Sequence, residues 1–198
     1  MNPVDYITQR YHLKGEDLPF VIMRDSSKNN FAMLLNELGY KKGAEIGVEK
    51  GNFSEVLCQK IPGLALTCVD SWTQIPGYRE RHNNNQDQFY KSTKERLAPY
   101  NCNIIKGFSM DVVKTIPDKS LDFVYIDANH EFQHCTNDIA EWSKKVRSGG
   151  IISGHDFNYF RAPQELIHTK YVVIAWTQAH NIKPWFVFNE HKIWFWVK

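Results

Sequence analysis

The chain of 198 residues is long enough for one well-packed domain and short for two. Its net charge is only +2 and its charged residues are spread along the chain, so a nucleic-acid partner is not indicated. The sequence has neither an apolar run of signal length nor the roughly 18 apolar residues of a membrane span, which predicts a cytoplasmic protein.

Apolar residues recur at strand-like and helix-like spacings that alternate along the chain. The first predicted element is a helix over residues 25–39, in which Phe31, Leu34 and Leu38 recur near helical spacing. Strands and helices then alternate, with strands at 44–48, 64–69, 102–105, 121–126 and 150–153 and helices at 52–61, 86–98, 110–116, 131–146 and 162–180. Two β-rich runs, 184–188 and 193–197, close the chain.

Short apolar strands that alternate with helices predict an α/β fold with a mostly parallel sheet covered on both faces. The turn between the last two strands is short, so one of them is expected to run antiparallel to its neighbour. We therefore expect one domain over residues 1–198, with a Rossmann-like, doubly wound sheet of seven strands and an antiparallel C-terminal hairpin. In this scheme residues 1–42 form an N-terminal helical segment, 43–198 the core and 71–90 a lid or substrate loop.

The cysteines and the C-terminal aromatic residues are both expected to be structural. Cys58, Cys68, Cys102 and Cys135 form no C-x-x-C pair and no zinc-like spacing, and Cys58 and Cys68 lie in apolar runs. A reducing compartment fits free cysteines of this kind. The aromatic residues between 185 and 196 are expected to lie in the core, or at an edge that joins a homo-oligomer.

Ligands of open α/β sheets bind beyond the carboxyl ends of the strands, so the residues after each strand are the candidates. The first predicted strand leads through Glu45, Gly47 and Gly51 into a helix that begins near Asn52 and Phe53. Glycine lets the backbone approach a ligand closely, and the helix offers free N–H groups. An ordinary strand-to-helix turn explains this segment equally well on its own.

Asp70 follows the second strand, 19 residues after Gly51. An acid at this place accepts hydrogen bonds from both hydroxyls of a ribose, although a helix cap or a turn acid is the alternative. The spacing G-x-x-x-G differs from the G-x-G-x-x-G of nicotinamide enzymes. Together, the glycine loop and Asp70 indicate ligand binding more strongly than either does alone.

Further candidate residues follow the next three strands: Phe108 and Ser109 the third, Asp127 and His130 the fourth, His155 and Asp156 the fifth. Adjacent strand ends are expected to bring the two aspartates and the two histidines into one cleft. Carboxylates with imidazoles suit a divalent cation, and a His–Asp pair suits a general base. Capping and loop contacts that only satisfy backbone groups are the alternative.

These segments resemble the class I S-adenosylmethionine-dependent methyltransferases. The resemblance rests on Glu45-x-Gly47-x-x-x-Gly51, on Val69-Asp70-Ser71-Trp72 and on the stretches 123–130 and 148–157, and it covers the chain from about Gly43 onward. More closely, the chain is similar to the small-molecule O-methyltransferases that include the macrocin-type sugar enzymes. The terminal antiparallel strand is also typical of this family.

The resemblance implies S-adenosylmethionine as the cofactor and assigns residues to it. Those expected to bind the cofactor are Glu45, Gly47, Gly51, Asn52, Phe53, Asp70, Ser71, Trp72, Phe108, Ser109 and Asp127. In this assignment the glycine loop wraps the methionine part and Asp70 binds the ribose. Phe108 and Ser109 lie near the adenine, and Asp127 faces both the cofactor and the cleft.

The same resemblance makes His130 and Asp127 the expected catalytic residues, since some sugar O-methyltransferases carry their general base at the position of His130. Metal-dependent relatives bind magnesium at corresponding positions, which gives Asp127, His155 and Asp156 as candidate ligands. His155 stands where an acid is often found, and histidine is a poor magnesium ligand, so a softer metal or none is left open. A base and a cation can act together.

The expected reaction is O-methylation of a small molecule such as a sugar or a glycosylated metabolite. Aromatic and arginine side chains near the cleft are candidates for its pocket, namely Tyr6, Tyr11, His12, Phe20, Trp72, Tyr78, Arg79, Arg81, His82, Phe157, Tyr159, Phe160 and Arg161. A nicotinamide-dependent oxidoreductase is one alternative, which the missing third glycine and the closing hairpin disfavour. A non-catalytic cofactor-binding or oligomerisation module is another, which Asp127, His130 and Asp156 disfavour.

Overall fold

A computed structural model describes residues 2–15, 18–75, 85–162 and 165–198. The helices in these ranges are α1 (Pro3–Arg10), α2 (Lys28–Glu37), α3 (Asn52–Lys60), α4 (Gln86–Leu97), α5 (Ser109–Val112), α6 (Phe132–Lys145) and α7 (Thr169–Ala179). The strands are β1 (Phe20–Ile22), β2 (Lys42–Ile46), β3 (Ala65–Asp70), β4 (Cys102–Lys106), β5 (Leu121–Ile126), β6 (Val146–Gly154), β7 (Phe160–Ala162), β8 (Glu165–Ile167), β9 (Phe186–Phe188) and β10 (Ile193–Val197).

The main sheet has the strand order β1-β9-β10-β6-β5-β2-β3-β4. Strands β2 to β6 are mutually parallel, as the alternation of strands and helices predicts. Strand β10 runs antiparallel to both β6 and β9, so the predicted C-terminal hairpin is confirmed. The carboxyl ends of β2, β3, β5, β6 and β9 therefore lie along one edge, which we call the carboxyl edge.

The sheet has eight strands, whereas the sequence predicts seven. The additional strand is β1, which lies in the segment expected to be only helical and pairs in parallel with β9. Phe20 stacks on Phe186 of β9, with ring centroids 5.9 Å apart. A run of three residues is too short to show a period, so its strand conformation depends on this tertiary pairing.

The helix predicted over residues 162–180 is wrong in its first part. Helix α7 begins at Thr169, and the preceding residues form the two-stranded β7–β8 sheet. Phe160 pairs with Ile167 and Arg161 with Leu166 in that sheet. Apolar residues at these positions suit either element, so their spacing alone does not distinguish a helix from a strand.

Both faces of the main sheet are covered by apolar side chains. Phe31, Tyr125 and Phe195 belong to the core cluster on one face, and Trp142 and Trp194 belong to the cluster on the other. The C-terminal aromatic residues are buried, as expected for core strands. None of the helices that the structure describes is long and apolar enough to span a membrane.

The cysteines are free among the described residues, and Cys68 and Cys135 are buried. The prediction of a buried side chain holds for Cys68, whereas Cys58 is only partly buried. Its sulfur lies 3.5 Å from that of Cys102, so α3 and β4 contact each other through this pair.

Candidate functional site

Four predicted side chains meet at the carboxyl edge, where the neighbouring strands β5 and β6 end. His130 Nε2 lies 3.4 Å from Asp127 Oδ1 and 3.2 Å from Asp156 Oδ2. His155 Nδ1 lies 3.5 Å from Asp127 Oδ1 and 3.2 Å from Asp156 Oδ1. Each imidazole thus contacts both carboxylates, and the predicted convergence of the four side chains is present.

Asp127 and His155 carry opposite charges in this cluster. Burial raises the pKa of Asp127, but the charge of His155 and hydrogen bonds from both histidines outweigh it and hold that pKa well below its usual range. Burial lowers the pKa of His155, but the charge of Asp127 and hydrogen bonds to both aspartates raise it to about 9. At neutral pH the structure therefore places an imidazolium at His155 beside a carboxylate.

Lys28, in the first turn of α2, is a fifth member of the cluster that sequence reasoning missed. Its Nζ lies 3.7 Å from Asp127 Oδ2 and 5.2 Å from the centre of the Phe53 ring. A lysine in a helix far upstream of the motifs gives no signal of this contact. Only the packing of α2 against α3 brings it to the carboxyl edge.

Asp156 adopts a left-handed backbone conformation, with φ of 53°. This conformation is sterically unfavourable for a residue with a side chain, although aspartate tolerates it better than most. Its side chain contacts both histidines, so the turn after β6 directs the carboxylate toward the end of β5.

The loop after β2 is held close to the end of β5 through Gly47. The backbone φ of Gly47 is 88°, and a Cβ at this position would lie 2.1 Å from the carbonyl oxygen of Asp127. The glycine is thus required for contact between two backbone segments of the protein. The next glycine of the motif, Gly51, has φ of 75° and precedes α3.

We expect Gly47→Ala to destabilise the protein by at least about 2 kcal/mol, because the methyl group meets backbone and the residue has a positive φ. Gly63→Ala is the matched control, since Gly63 has φ of 76° and nothing lies within 4 Å of its Cβ position. Urea unfolding of both variants measures the difference. Equal free energies of unfolding for the two variants would contradict the contact with Asp127.

Glu45, in β2, is buried and accepts a hydrogen bond from the hydroxyl of Ser54 in α3. Burial raises the pKa of Glu45 to about 8, and the charges of Asp127 and Asp70 add to this, while Ser54 and Lys28 oppose it. The acids beside the glycine loop are therefore close enough to influence each other. At neutral pH Glu45 is therefore mostly protonated, which removes its repulsion with the two aspartates.

Asp70 ends β3 and accepts hydrogen bonds from three backbone N–H groups. Its Oδ2 accepts from Val48 and Glu49, each at 2.9 Å, and its Oδ1 accepts from Trp72 at 2.8 Å. A carboxylate has about four acceptor positions, so one remains for a ligand. The structure thus gives Asp70 a role in shaping the glycine loop, and its contact with ribose stays a prediction.

Trp72 lies inside the protein, with only 1% of its surface exposed, and its indole N–H donates to the carbonyl oxygen of Glu49 at 2.8 Å. Trp72 therefore packs inside the protein against the glycine loop and holds it through this hydrogen bond to Glu49. Ser71 is partly buried and precedes it. A direct contact of either residue with the adenosine also stays a prediction.

After β4, Phe108 and Ser109 have different surroundings. The ring of Phe108 is 52% exposed, which leaves it accessible to a ligand. Ser109 instead donates to Asp138 and accepts from the indole N–H of Trp142 at 2.8 Å. Burial raises the pKa of Asp138 to about 6, although the hydrogen bond from Ser109 and the electrostatic effect of His130 act to lower it. This buried acid in α6 has no signal in the sequence beyond its place in a helix.

The lid is only partly described, since residues 76–84 lie outside the described residues, and with them the candidates Tyr78, Arg79, Arg81 and His82. The N-terminal candidates Tyr11 and Phe20 pack on Phe188 and Phe186, so they support the sheet. Phe157 and Tyr159 line a cavity beside Asp156. Phe160 and Arg161 are exposed in β7.

Three side chains of the cluster have the spacing of a metal site. Ligand atoms of Asp127, His130 and Asp156 all lie within 4.8 Å of one another. The predicted set contains His155 in place of His130, and its role as a ligand stays a prediction. The imidazolium of His155 and the ammonium of Lys28 already supply positive charge to these carboxylates.

Comparison with known proteins assigns the chain to a family. Residues 44–157, more than half of the chain, match the Methyltransf_24 family, described as a methyltransferase domain. An uncharacterized protein of Acanthamoeba polyphaga mimivirus, R132, is 25% identical over 146 residues, which are 71% of this chain and 62% of that protein. The chain thus spans less than two thirds of the length of this curated relative.

Solved structures show the same fold at low identity. The O-methyltransferase from Bacillus cereus in complex with S-adenosylhomocysteine (SAH) matches with a TM-score of 0.60 and 15% identity, over 98% of this chain and 89% of that one. The O-methyltransferase TomG from Streptomyces achromogenes, in complex with S-adenosylmethionine, matches with a TM-score of 0.60 and 13% identity, over 96% and 86%. The chain therefore has the class I methyltransferase fold and belongs to the Methyltransf_24 family of methyltransferase domains.

Proposed function

We propose that the protein transfers a methyl group from S-adenosylmethionine to a hydroxyl oxygen of a small molecule, such as a sugar or a glycosylated metabolite. The observation that carries this proposal is the contact of His130 with Asp127 and Asp156 at the carboxyl edge. The cluster lies at the end of β5, against the glycine loop that follows β2. Acid–base groups in this position suit proton removal from an acceptor beside the cofactor.

The residues of the glycine loop fit the chemistry of this cofactor. S-adenosylmethionine carries an activated methyl group on a sulfonium, so the protein must hold and orient two reactants and accept one proton. The first turn of α3, at Asn52 and Phe53, presents N–H groups that suit a carboxylate. Asp70 and Asp127 supply negative charge that suits an ammonium and a sulfonium, whereas Glu45, whose pKa is raised to about 8, is mostly protonated at neutral pH.

His130 is the proposed general base. A hydrogen on Nε2 satisfies the contacts with Asp127 and Asp156 and leaves Nδ1 as the acceptor nitrogen of the ring. The two carboxylates also stabilise the imidazolium that forms when the ring takes the proton of the acceptor hydroxyl. Asp127 and Asp156 are then positioning residues for the base.

We favour this base over a bound cation as the group that activates the acceptor. The carboxylates of Asp127 and Asp156 already contact the imidazolium of His155, and Lys28 adds a further positive charge near Asp127. A divalent cation would have to displace or deprotonate these partners before it could bind. Magnesium is therefore expected to change cofactor affinity by less than about twofold.

Calorimetric titration with SAH, with and without magnesium and with NAD as the control, tests the proposal. We expect SAH to bind with a dissociation constant on the order of 1 µM, and NAD not to bind. Binding of NAD alone would support an oxidoreductase and contradict the proposal. Binding of neither would favour a non-catalytic module, and a magnesium effect of more than about tenfold would restore the cation at Asp127 and Asp156.

A further inference from the structure

A separate cavity of about 520 Å³ lies on the carboxyl edge beyond Asp156. It is open to solvent on one side and is lined by residues of the segment after β6, the first turn of α7, β1, β9 and the turn before β10. Strand β9 runs in the same direction as β6, since both are antiparallel to β10. The cavity and the glycine loop therefore lie on opposite sides of the His130 cluster, along one edge of the sheet.

Two lysines define the charge of this cavity. Lys170 and Lys192 both line it, and no described residue of its lining is an aspartate or a glutamate. Lys192 Nζ donates to Asn189 Oδ1 at 2.7 Å, which uses one of its three hydrogens. Lys170 lies in the first turn of α7, where a cation is unfavourable because the amino end of a helix is already positive. An anion in the cavity would balance the positive charge of both lysines.

Aromatic rings form the other wall. Tyr159 and Tyr171 line the cavity with ring centroids 4.7 Å apart, and both rings are about half exposed, at 48% and 52%. Phe157, which also lines the cavity, packs edge-on against Trp185 with ring centroids 5.6 Å apart. Exposed tyrosine rings of this kind provide a flat surface on which another ring can stack.

The segment is held in place by backbone hydrogen bonds. Phe157 N–H donates to the carbonyl oxygen of Lys192 at 2.9 Å, and Lys170 N–H donates to that of Asn158 at 3.0 Å. These bonds join the turn after β6 to the hairpin and to α7. The backbones of Lys170 and Lys192 therefore keep a defined position relative to the segment that follows Asp156.

We infer that this cavity binds the acidic part of the methyl acceptor, a phosphate or carboxylate attached to an aromatic or sugar ring. The inference rests on the proposed function, because it takes the ligand of the cavity to be the methyl acceptor. It places the remote part of this substrate beside the proposed base. Lys170 and Lys192 would hold the acid by charge-assisted hydrogen bonds, and the tyrosines would contact the ring. Remote contacts of this kind orient the reacting hydroxyl.

Titration with phenyl phosphate, followed by backbone amide NMR shifts, tests the cavity without any methyl transfer. We expect shifts at residues 157–159 and 170–171, and an affinity about tenfold higher than for the neutral phenyl glucoside. Inorganic phosphate should bind more weakly than phenyl phosphate because it lacks the ring. Lys170→Met with Lys192→Met should reduce phenyl phosphate affinity by about tenfold or more.

Lys60→Met with Lys114→Met is the matched control, because it removes the same charge at residues that do not line the cavity. This pair should change the affinity by less than about twofold. Equal binding of phenyl phosphate to the Lys170/Lys192 variant, or equal binding of the neutral glucoside to the wild type, would overturn the inference.

Titration of the same samples with SAH separates this inference from the proposed function. An acceptor subsite requires phenyl phosphate and SAH to bind together, so saturation with SAH should leave the phenyl phosphate affinity unchanged within about twofold. Competition between the two would show that the cavity belongs to the cofactor site and would contradict the inference. If SAH did not bind while phenyl phosphate still bound, the result would contradict the proposed function but would still support an anion site in the cavity.

Discussion

His130→Ala is expected to lower the turnover number by roughly 10²- to 10⁴-fold, the usual contribution of a positioned general base. The ring of His130 contacts both Asp127 and Asp156. His155 contacts the same carboxylates, but its pKa of about 9 keeps it protonated at neutral pH, so it cannot accept the proton of the acceptor in place of His130. SAH affinity should stay within about threefold of the wild type, since the glycine loop is unchanged. Turnover is measured as SAH release with an acceptor found by screening sugars, glycosides and phenols.

Two further measurements distinguish a base from a structural residue. Added imidazole should restore part of the activity of His130→Ala, because it replaces the lost proton acceptor in the space that the side chain leaves. His134→Ala is the matched control, since His134 lies exposed on α6 four residues further along the chain. A loss of turnover in His130→Ala that imidazole does not restore, together with a lowered melting temperature, would argue for a structural role.

The order of strands and helices could be predicted because each element repeats its own period. Strands β2 to β6 and the helices between them all appear where the apolar pattern places them, with ends shifted by a few residues. The strand β1 and the β7–β8 pair could not be predicted in the same way. Each of these strands has three residues, which is too few to show a period. Strand β1 also depends on pairing with β9, far away in the chain, whereas β7 and β8 pair with each other.

The candidate site could be predicted only in part, for a related reason. Asp127, His155 and Asp156 directly follow adjacent strands, so topology alone brings them together. Lys28 reaches the same cluster from a helix whose position depends on side-chain packing, and nothing in the local sequence indicates it. The two lysines of the cavity are also 22 residues apart, and they line the same cavity because the segment after β6 is hydrogen-bonded to the backbones of both.

An acid at the end of a strand can accept hydrogen bonds from the protein backbone or from a ligand, and the sequence does not distinguish these two roles. The spacing of Asp70 from the glycines predicts a ribose ligand, yet in the structure three backbone N–H groups of the protein occupy most of its acceptor positions. The same placement serves both purposes, because an acid that shapes the loop also lies beside any ligand that the loop binds. Separating the two contributions requires variants that differ in hydrogen-bonding capacity.

Asp70→Ala is therefore expected to have two effects. It leaves the N–H groups of Val48, Glu49 and Trp72 without their acceptor, which should cost roughly 2–4 kcal/mol of unfolding free energy, less where water reaches them. It should also weaken SAH binding by about tenfold or more, as the loop loses its shape and the ribose loses an acceptor. Asp87→Ala, at a fully exposed acid on α4, is the control and should change neither quantity.

Asp70→Asn separates the loop from the ribose. The amide oxygen can still accept from Val48 and Glu49, so most of the stability should remain. If Asp70 also binds the ribose, the wild type should prefer SAH over its 2′-deoxy analogue by about tenfold, and Asp70→Asn should reduce this preference. Equal SAH affinity in the wild type and in Asp70→Ala would sink the ribose assignment, because the carboxylate would then act on the loop alone.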